Sequence, residues 1–512
     1  MRANDFSIPA CANAPKSTPS AKRHGNPAQR SANFTIHTLH HERRARYLTL
    51  MIIAVLVPMF TTVALSVKGA TEGKWAASSL AFGVICGALV PLCCETALGI
   101  LDPLNPRNLF LLFFAFQFGV YPLYVLGGGP SLLTNSTFFD DAAKYYVEAE
   151  SLAALGLLCY LLGYYSRLGI WAEHLIGKPR RLDVRRVKKL SLCLFVVGYA
   201  FAAAFFWKAG GVRQFLEDRE TWRALGVSGS GPFLTAINLW LPTSALLLMV
   251  QSTSWTGPWR KTARTAIFAF LGLCLVPVYL LGFRSLIIIP LLQSVAVVHY
   301  LKWRLRLRSA LLLACLAVVC MTFYGLARGD SPVSASSVTL QSVANQVLFR
   351  CTGADIVAVI LRDTKFGDYE FGGKAMVETA TILIPHGIWS GKPLSWGEQF
   401  STKFFASYLA LGQGSRDTWG GVSPTAIGYF YLQCGWIGVV LGMFAVGAWT
   451  KAMYFHGRRF AGSNTGFLLF VLLLPPSILV VEAPQNAFNT LVITLVCAYL
   501  PIMWAAKLRT PL

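Results

Sequence analysis

Residues 265–300 read TAIFAFLGLCLVPVYLLGFRSLIIIPLLQSVAVVHY, an apolar run broken at Gly282-Phe283-Arg284. As one helix it would extend about 54 Å at 1.5 Å per residue. The hydrocarbon core of a bilayer is only about 30 Å thick. The run therefore reads as two membrane helices joined by a tight hairpin. Similar runs recur along the 512 residues, of which 55% are hydrophobic and only 13% charged, with mean hydropathy +0.53. A soluble domain seldom reads this way.

Twelve spans follow, at about 47–67, 76–98, 109–126, 149–170, 190–207, 232–251, 265–281, 285–300, 309–326, 425–450, 465–481 and 488–506. The net charge of +22 does not point to nucleic acid, because lysine and arginine cluster at the ends of the apolar runs. With the N-terminal tail inside, 29 Lys+Arg fall on the cytoplasmic side and 16 outside, accounting for all 45. Positive charge favours the inner side, so span count and charge agree. The expectation is an all-α polytopic membrane protein of about 12 transmembrane helices. Residues 1–46, rich in Pro, Ser, Asn, Ala and basic residues, read as a disordered cytoplasmic tail. Spans one to nine occupy 47–326, a helical outer segment 327–424, and spans ten to twelve 425–512. Both termini are expected in the cytoplasm.

The segment from Arg328 to Val422 is the most informative for function. It keeps many cations, Arg328, Arg350, Arg362, Lys365, Lys374, Lys392, Lys403 and Arg416, on the side where cations are disfavoured. An anionic ligand such as a lipid-linked phosphate accounts for that. Val343, Val347, Arg350, Ala354 and Val357 follow 3/4 spacing within an expected helix over 337–361, so Arg350 interrupts an apolar stripe. Arg350 then either binds an anion or pairs with a carboxylate for stability. A second helical patch, 374–384, ends at a rigid loop, Pro385-His386-Gly387-Ile388-Trp389-Ser390-Gly391-Lys392-Pro393. Trp389 can stack on a sugar ring or sit in an interfacial aromatic belt. Lys392 can meet phosphate, and His386 titrates near neutral pH as a base should. Ser423 reads as the cap of the next span.

Three other outer features carry polar chemistry. Asp140-Asp141 suits a divalent cation, but also an ordinary solvated helix start. Arg219 and Arg223, four apart, share a helix face, with Glu220 beside them as an ion-pair partner. Arg284 at the hairpin tip either snorkels or holds phosphate, for which the planar guanidinium fork is suited. The twelve cysteines are scattered and mostly within spans, so no disulfide framework or cysteine metal site is expected.

Three blocks carry a resemblance: Ile384-Pro385-His386-Gly387-Ile388-Trp389-Ser390-Gly391-Lys392-Pro393, Ser423-Pro424-Thr425-Ala426-Ile427-Gly428-Tyr429-Phe430-Tyr431, and Gly435-Trp436-Ile437-Gly438. With Gly210-Gly211 and Gly282-Phe283-Arg284-Ser285, they make residues 190–450 resemble the Wzy-type O-antigen and exopolysaccharide repeat-unit polymerases. An arginine often follows the proline in similar chains, where this one has His386. The resemblance implies an inner-membrane glycosyltransferase working on undecaprenyl-diphosphate-linked glycans at the periplasmic face. It transfers the growing glycan to a hydroxyl of a new lipid-linked unit. A polysaccharide chain-length regulator is a candidate partner.

On that reading Arg284 and Arg350 hold the diphosphate, with Arg219, Arg223, Arg328 and Arg416 behind them. His386 is the first candidate base, then Glu378 and Asp355. Arginines can stabilise a leaving diphosphate without a metal, so no cofactor is expected. The rivals are an O-antigen ligase, a metal-dependent membrane glycosyltransferase and a polytopic polysaccharide or lipid transporter. The first outer loop, 68–75, holds Glu72 as its single acid, which disfavours the metal enzyme. The interiors of spans five to nine are nearly free of charge, which disfavours ion-coupled transport.

The frame makes a testable statement about sides. A cysteine placed at Ser336 or Ser415 is expected to react with an impermeant thiol reagent in cells whose outer membrane is permeabilised. Labelling that requires inner-membrane rupture would reverse the orientation.

Overall fold

The computed structural model describes residues 48–49, 52, 74–129, 142–176, 179–217, 231–253, 260–282, 284–327, 348, 351–364, 369–370, 373–384, 389, 399–400, 403–404, 423–462 and 464–511. In chain order, α1 is Lys74–Ala97. Next, α2 (Pro106–Ala115) continues through a π-helical turn, Phe116–Val120, into α3 (Tyr121–Leu126). Then come α4 (Ala142–Tyr165), α5 (Leu168–Leu175), β1 (Arg180–Leu182), α6 (Val184–Lys208) and α7 (Val212–Glu217). A second π-helical turn, Ala236–Trp240, joins α8 (Gly231–Thr235) to α9 (Leu241–Ser252). They are followed by α10 (Arg260–Leu281), α11 (Arg284–Leu301), α12 (Leu307–Ala327), α13 (Gly353–Asp363) and α14 (Gly373–Thr381). The chain closes with α15 (Ala426–Arg459), α16 (Thr465–Leu479), α17 (Pro484–Thr494), a π-helical turn at Leu495–Tyr499, α18 (Leu500–Trp504) and β2 (Ala506–Pro511).

Among the described residues, 8 helical stretches are long and apolar enough to cross a membrane, and Leu286–Leu301, Leu307–Ala317 and Thr465–Leu479 are shorter apolar helices. The fold is that of a polytopic helical membrane protein. The first expected span, 47–67, lies almost wholly outside the described residues. The opening run is two helices: α10 stops at Leu281, Gly282 takes φ 79°, and α11 begins at Arg284. One departure from all-α is a small ribbon in which β1 pairs antiparallel with β2, Leu182 opposite Ala506. A strand of three residues is too short to show alternation in sequence. A second correction concerns a cap. Thr425, not Ser423, caps α15, its hydroxyl accepting from the Gly428 N–H (3.3 Å). The helix begins at Ala426, two residues later than a Ser423 cap requires.

The helix ends gather into two opposite polar layers. One layer joins the end of α1, the starts of α2 and α6, and the ends of α4, α11 and α15. There Arg107, 1% exposed, pairs with Glu95 (2.7 Å) and donates to Tyr165 OH (3.0 Å). Nearby, Asp102 accepts from Tyr300 and Tyr454 (2.9 Å each) and from His299 Nε2 (3.1 Å). The Leu305 N–H occupies His299 Nδ1 (2.9 Å), so the ring's proton sits on Nε2. Burial pushes the Asp102 carboxyl up, but the hydrogen bonds from His299, Tyr454 and Tyr300 outweigh it and hold it below its ordinary value. The opposite layer joins α3, the starts of α4, α15 and α17, and the helices α13 and α14.

Between the layers, α4 and α15 meet backbone to backbone. A Cβ at Gly163 would overlap the Phe444 carbonyl, and one at Gly447 would overlap the Tyr160 carbonyl. Close approach of this kind drives helix association where lipid removes the hydrophobic incentive.

α15 is not one straight span. Cys434 (φ −148°, ψ 26°) and Gly435 (φ 61°, ψ −144°) leave the helical region. The chain bends so far that the Phe430 ring packs on Gly442, and its carbonyl on Gly438. In a straight helix twelve residues separate positions by about 18 Å, so neither contact could form. Gly435 lacks a Cβ because Tyr369 Oη stands 2.7 Å from where it would be.

Gly447→Val is expected to force α4 and α15 apart and cost about 1–3 kcal/mol or more. Gly272→Ala is the control, because no atom lies within 4 Å of its Cβ position. Thermal unfolding in detergent should separate the two variants by several degrees. Equal melting would show that the α4–α15 contact does not hold the bundle.

Candidate functional site

The layer opposite the arginine-rich ends contains the carboxylates singled out from sequence. Asp355 lies on the first turn of α13, 0% exposed. It accepts from Tyr121 OH (2.6 Å) at the start of α3 and from Tyr146 OH on α4. A buried carboxylate needs such donors, and these bind three helices at one point. Gly353 lets α13 come this close, since a Cβ there would stand 2.5 Å from Gln117 Oε1 and 3.2 Å from Thr425 Cγ2. Gly428 does the same from α15, against Ile360 and Val357.

Glu378 lies on α14, 9% exposed, where it accepts from Asn489 Nδ2 (2.7 Å) on α17. Gln485, one turn before Asn489, donates to the Ala375 carbonyl (3.0 Å) and to Thr379 Oγ1 (2.9 Å). Thr379 Oγ1 donates to Asn489 Oδ1 (3.1 Å), and Tyr429 OH to Gln485 Oε1 (3.2 Å). Among the described residues, the partners shown for this carboxylate and its neighbours are amides and hydroxyls. Neighbouring residues of α15 touch both groups: Gly428 meets α13 and Tyr429 meets the Glu378 network. The two carboxylates thus flank one helical turn. Glu370, through its N–H, is tied to the Leu432 carbonyl (2.9 Å) further along the same helix.

The other sequence-derived candidates fall differently. His386, Arg350, Arg219, Arg223, Arg328, Arg416 and Lys392 lie outside the described residues, as do Asp140 and Asp141. Arg284 starts α11, and only its backbone is described. Trp389 is described as 38% exposed. Arg362 pairs with Asp363 (2.6 and 2.8 Å).

Several residues were not anticipated from sequence. Tyr121 and Tyr146 gave no signal, being ordinary aromatics near span ends. Gln485 and Asn489 did give one, since two amides four apart share a helix face within an apolar run. Glu150 and Gln433 are also polar within apolar runs, and both are buried side chains whose polar atoms lack hydrogen-bond partners among the described residues.

This arrangement can bind hydroxyl-rich, uncharged groups and can accept a proton through Glu378. Asp355, enclosed by its phenols, is suited to holding the site's frame. No family model, curated protein or solved structure matches the chain.

Asp355→Asn is expected to turn an acceptor into a donor facing two phenols. It should lower thermal stability by about 1–3 kcal/mol, measured as a shift of Tm in detergent. Tyr146→Phe should lower it less. An unchanged Tm in both variants would remove Asp355 as the pin of α3, α4 and α13.

Proposed function

We infer that this chain is a membrane glycosyltransferase that polymerises undecaprenyl-diphosphate-linked oligosaccharide repeat units at the periplasmic face of a bacterial inner membrane. The observation that carries this reading is the carboxylate and amide network around Glu378, set at the helix-end layer remote from the cytoplasmic basic clusters. Glu378 and Tyr429 of that network lie within the residues 190–450 that resemble the polymerases. In this reading twelve spans cross the membrane and residues 327–424 lie in the periplasm.

The reaction joins an acceptor hydroxyl to the anomeric carbon of the growing glycan. The new C–O bond forms as the bond to the lipid diphosphate breaks, and the diphosphate carries away the electron pair. The acceptor proton must leave as its oxygen attacks. Glu378 is the described carboxylate best suited to take it, because Asn489 holds it in place and Gln485 fixes α14 beneath it. His386 is the alternative base. Negative charge develops on the departing diphosphate, and guanidinium groups stabilise it electrostatically. Arg284 and Arg350 take that role, with Arg219, Arg223, Arg328 and Arg416 in support, and no metal is required. Trp389 and Lys392 add a stacking face and a cation to the same substrate. Asp355 positions α13 rather than meeting substrate.

The test uses the full chain reconstituted in liposomes with lipid-linked repeat units purified from the parent organism, read as a ladder of polymer lengths. Glu378→Gln should lower turnover roughly 10²–10⁴-fold, the usual contribution of a general base, without loss of membrane insertion. Arg350→Ala should lower it roughly 10²–10³-fold. Normal ladders from the Gln variant would end the base assignment. A wild-type protein that elongates nothing under these conditions would end the polymerase reading.

A further inference from the structure

Glu150 of α4 is 0% exposed. Both its carboxyl oxygens are enclosed and lack a hydrogen-bond partner among the described residues. The expected fourth span began at 149, which would set this side chain at the membrane surface. α4 begins at Ala142 instead, so Glu150 lies about two turns inside the helix. Ala149 and Ala153 beside it belong to the apolar core, together with Ala77, Val84, Ala354 and Ile427. Buried polar side chains nearly always have partners, and ionisable side chains inside membrane bundles mark ion and proton paths.

Among the described residues, α4 packs on α1, α13 and α15, and on α5 at its far end. From Trp75 to Cys94 α1 holds no Asp, Glu, Lys, Arg or His, and neither does α15 from Ala426 to Thr450. Within those stretches the titratable groups are three thiols of α1 and, on α15, Tyr429, Tyr431 and Cys434. The charges of α1 stand at its ends, Lys74 at the start and Glu95, paired with Arg107, in the opposite layer. α5 brings Glu173 and His174, also to that opposite layer. α13 brings Asp355 on its first turn, and Arg362 paired with Asp363 at its other end. On α4 itself, Lys144 and Glu148 lie on other faces of the helix. Tyr146 shares the face of Glu150, one turn away. Its hydroxyl donates to Asp355, which also accepts from Tyr121 (2.6 Å).

An ionised carboxylate without a partner is too costly to keep in such a place. A proton is the ligand that removes the cost. Asp355, with two phenol donors, holds the negative charge more cheaply. We propose that Glu150 is a proton-binding site inside the bundle, which exchanges its proton with Asp355 through the Tyr146 hydroxyl. In the transfer Tyr146 takes the Glu150 proton as it passes its own to Asp355. The phenol is restored, Glu150 is left as a carboxylate and Asp355 as a neutral acid. Asp355 lies in the helix-end layer, where local opening lets the proton leave to water. Uptake runs the same path in reverse. The site involves no glycan and stands apart from the polymerase reading.

The full chain in liposomes is examined by infrared absorption, wild type against Glu150→Gln. The difference should contain the C=O stretch of one protonated carboxylic acid at neutral pH. That band should weaken as the pH is raised, by up to about tenfold per unit, and return on acidification. In Tyr146→Phe the band should remain at neutral pH, while its exchange in heavy water slows roughly 10²-fold, the least a positioned proton carrier contributes. Absence of the acid band would show an ionised, paired Glu150 and overturn the site. A band that persists through the alkaline range in folded protein would mark a fixed structural acid and overturn it equally. Exchange as fast or faster in Tyr146→Phe defeats the path through the phenol. If the Gln variant does not insert, Glu150→Asp is read in its place, as a displacement of the band.

Discussion

Backbone contact between α4 and α15 is the constraint on which the rest of the molecule depends. Lipid tails are as apolar as leucine, so membrane helices gain little by burying apolar side chains against one another. What remains is dispersion and close fit, and these are strongest where two backbones touch. Gly163 under the Phe444 carbonyl and Gly447 under the Tyr160 carbonyl set that fit. The same pair of helices then fixes both polar layers. At one end Lys451 of α15 donates to the Ser166 carbonyl just past α4 (2.6 Å). At the other, α4 supplies Tyr146 to Asp355 while α15 receives α13 on Gly428. Separating the helices would loosen both ends together.

The bend at Cys434–Gly435 turns this scaffold into a site. A straight α15 would carry Tyr429 and Tyr431 along the membrane normal, away from α14 and α17. Bending folds the first turns of α15 back over Gly438 and Gly442, so that Tyr429 reaches Gln485. Irregular backbone at membrane depth survives where protein covers it. Here Tyr369 covers Gly435, and the Glu370 N–H satisfies the Leu432 carbonyl.

Much of the fold was legible because its signals are local. The hairpin at Gly282 and the apolar runs depend on chain length against membrane thickness and on one turn residue. Asp355 and Glu378 were also picked out as carboxylates in an outer segment. Their partners were not legible, because Tyr121 and Tyr146 lie 234 and 209 residues away in sequence from Asp355. Gly435-Trp436-Ile437-Gly438 stood out as a motif, but its meaning did not. Gly435 is required by a positive φ and by Tyr369, and Gly438 by Phe430. Both reasons exist only after the chain has folded. The Ser423 cap failed for a smaller reason: serine and threonine both cap, and Thr425, two residues on, holds the position.

The separation of anionic and cationic roles follows from what each must do. A base has to stand within hydrogen-bond reach of one acceptor proton, and misplacement by an ångström costs rate steeply. Helices suit that task. Glu378 stands on α14, where Asn489 of α17 holds its carboxylate and Gln485 holds the Ala375 carbonyl one turn away. A diphosphate is larger, carries its charge over several oxygens, and rides on a mobile lipid. Coulombic attraction falls off slowly with distance, so a cation need not be placed as closely as a base. In the proposed polymerase the chain follows this division. Carboxylate and amide chemistry sits on the helical scaffold, with Glu378 on α14 and its amide partner Asn489 on α17. The buried carboxylate of Asp355 extends the same logic. It touches no solvent, and through Tyr121 and Tyr146 it fixes α13 against α3 and α4, in the same helix-end layer as Glu378 and Gln485.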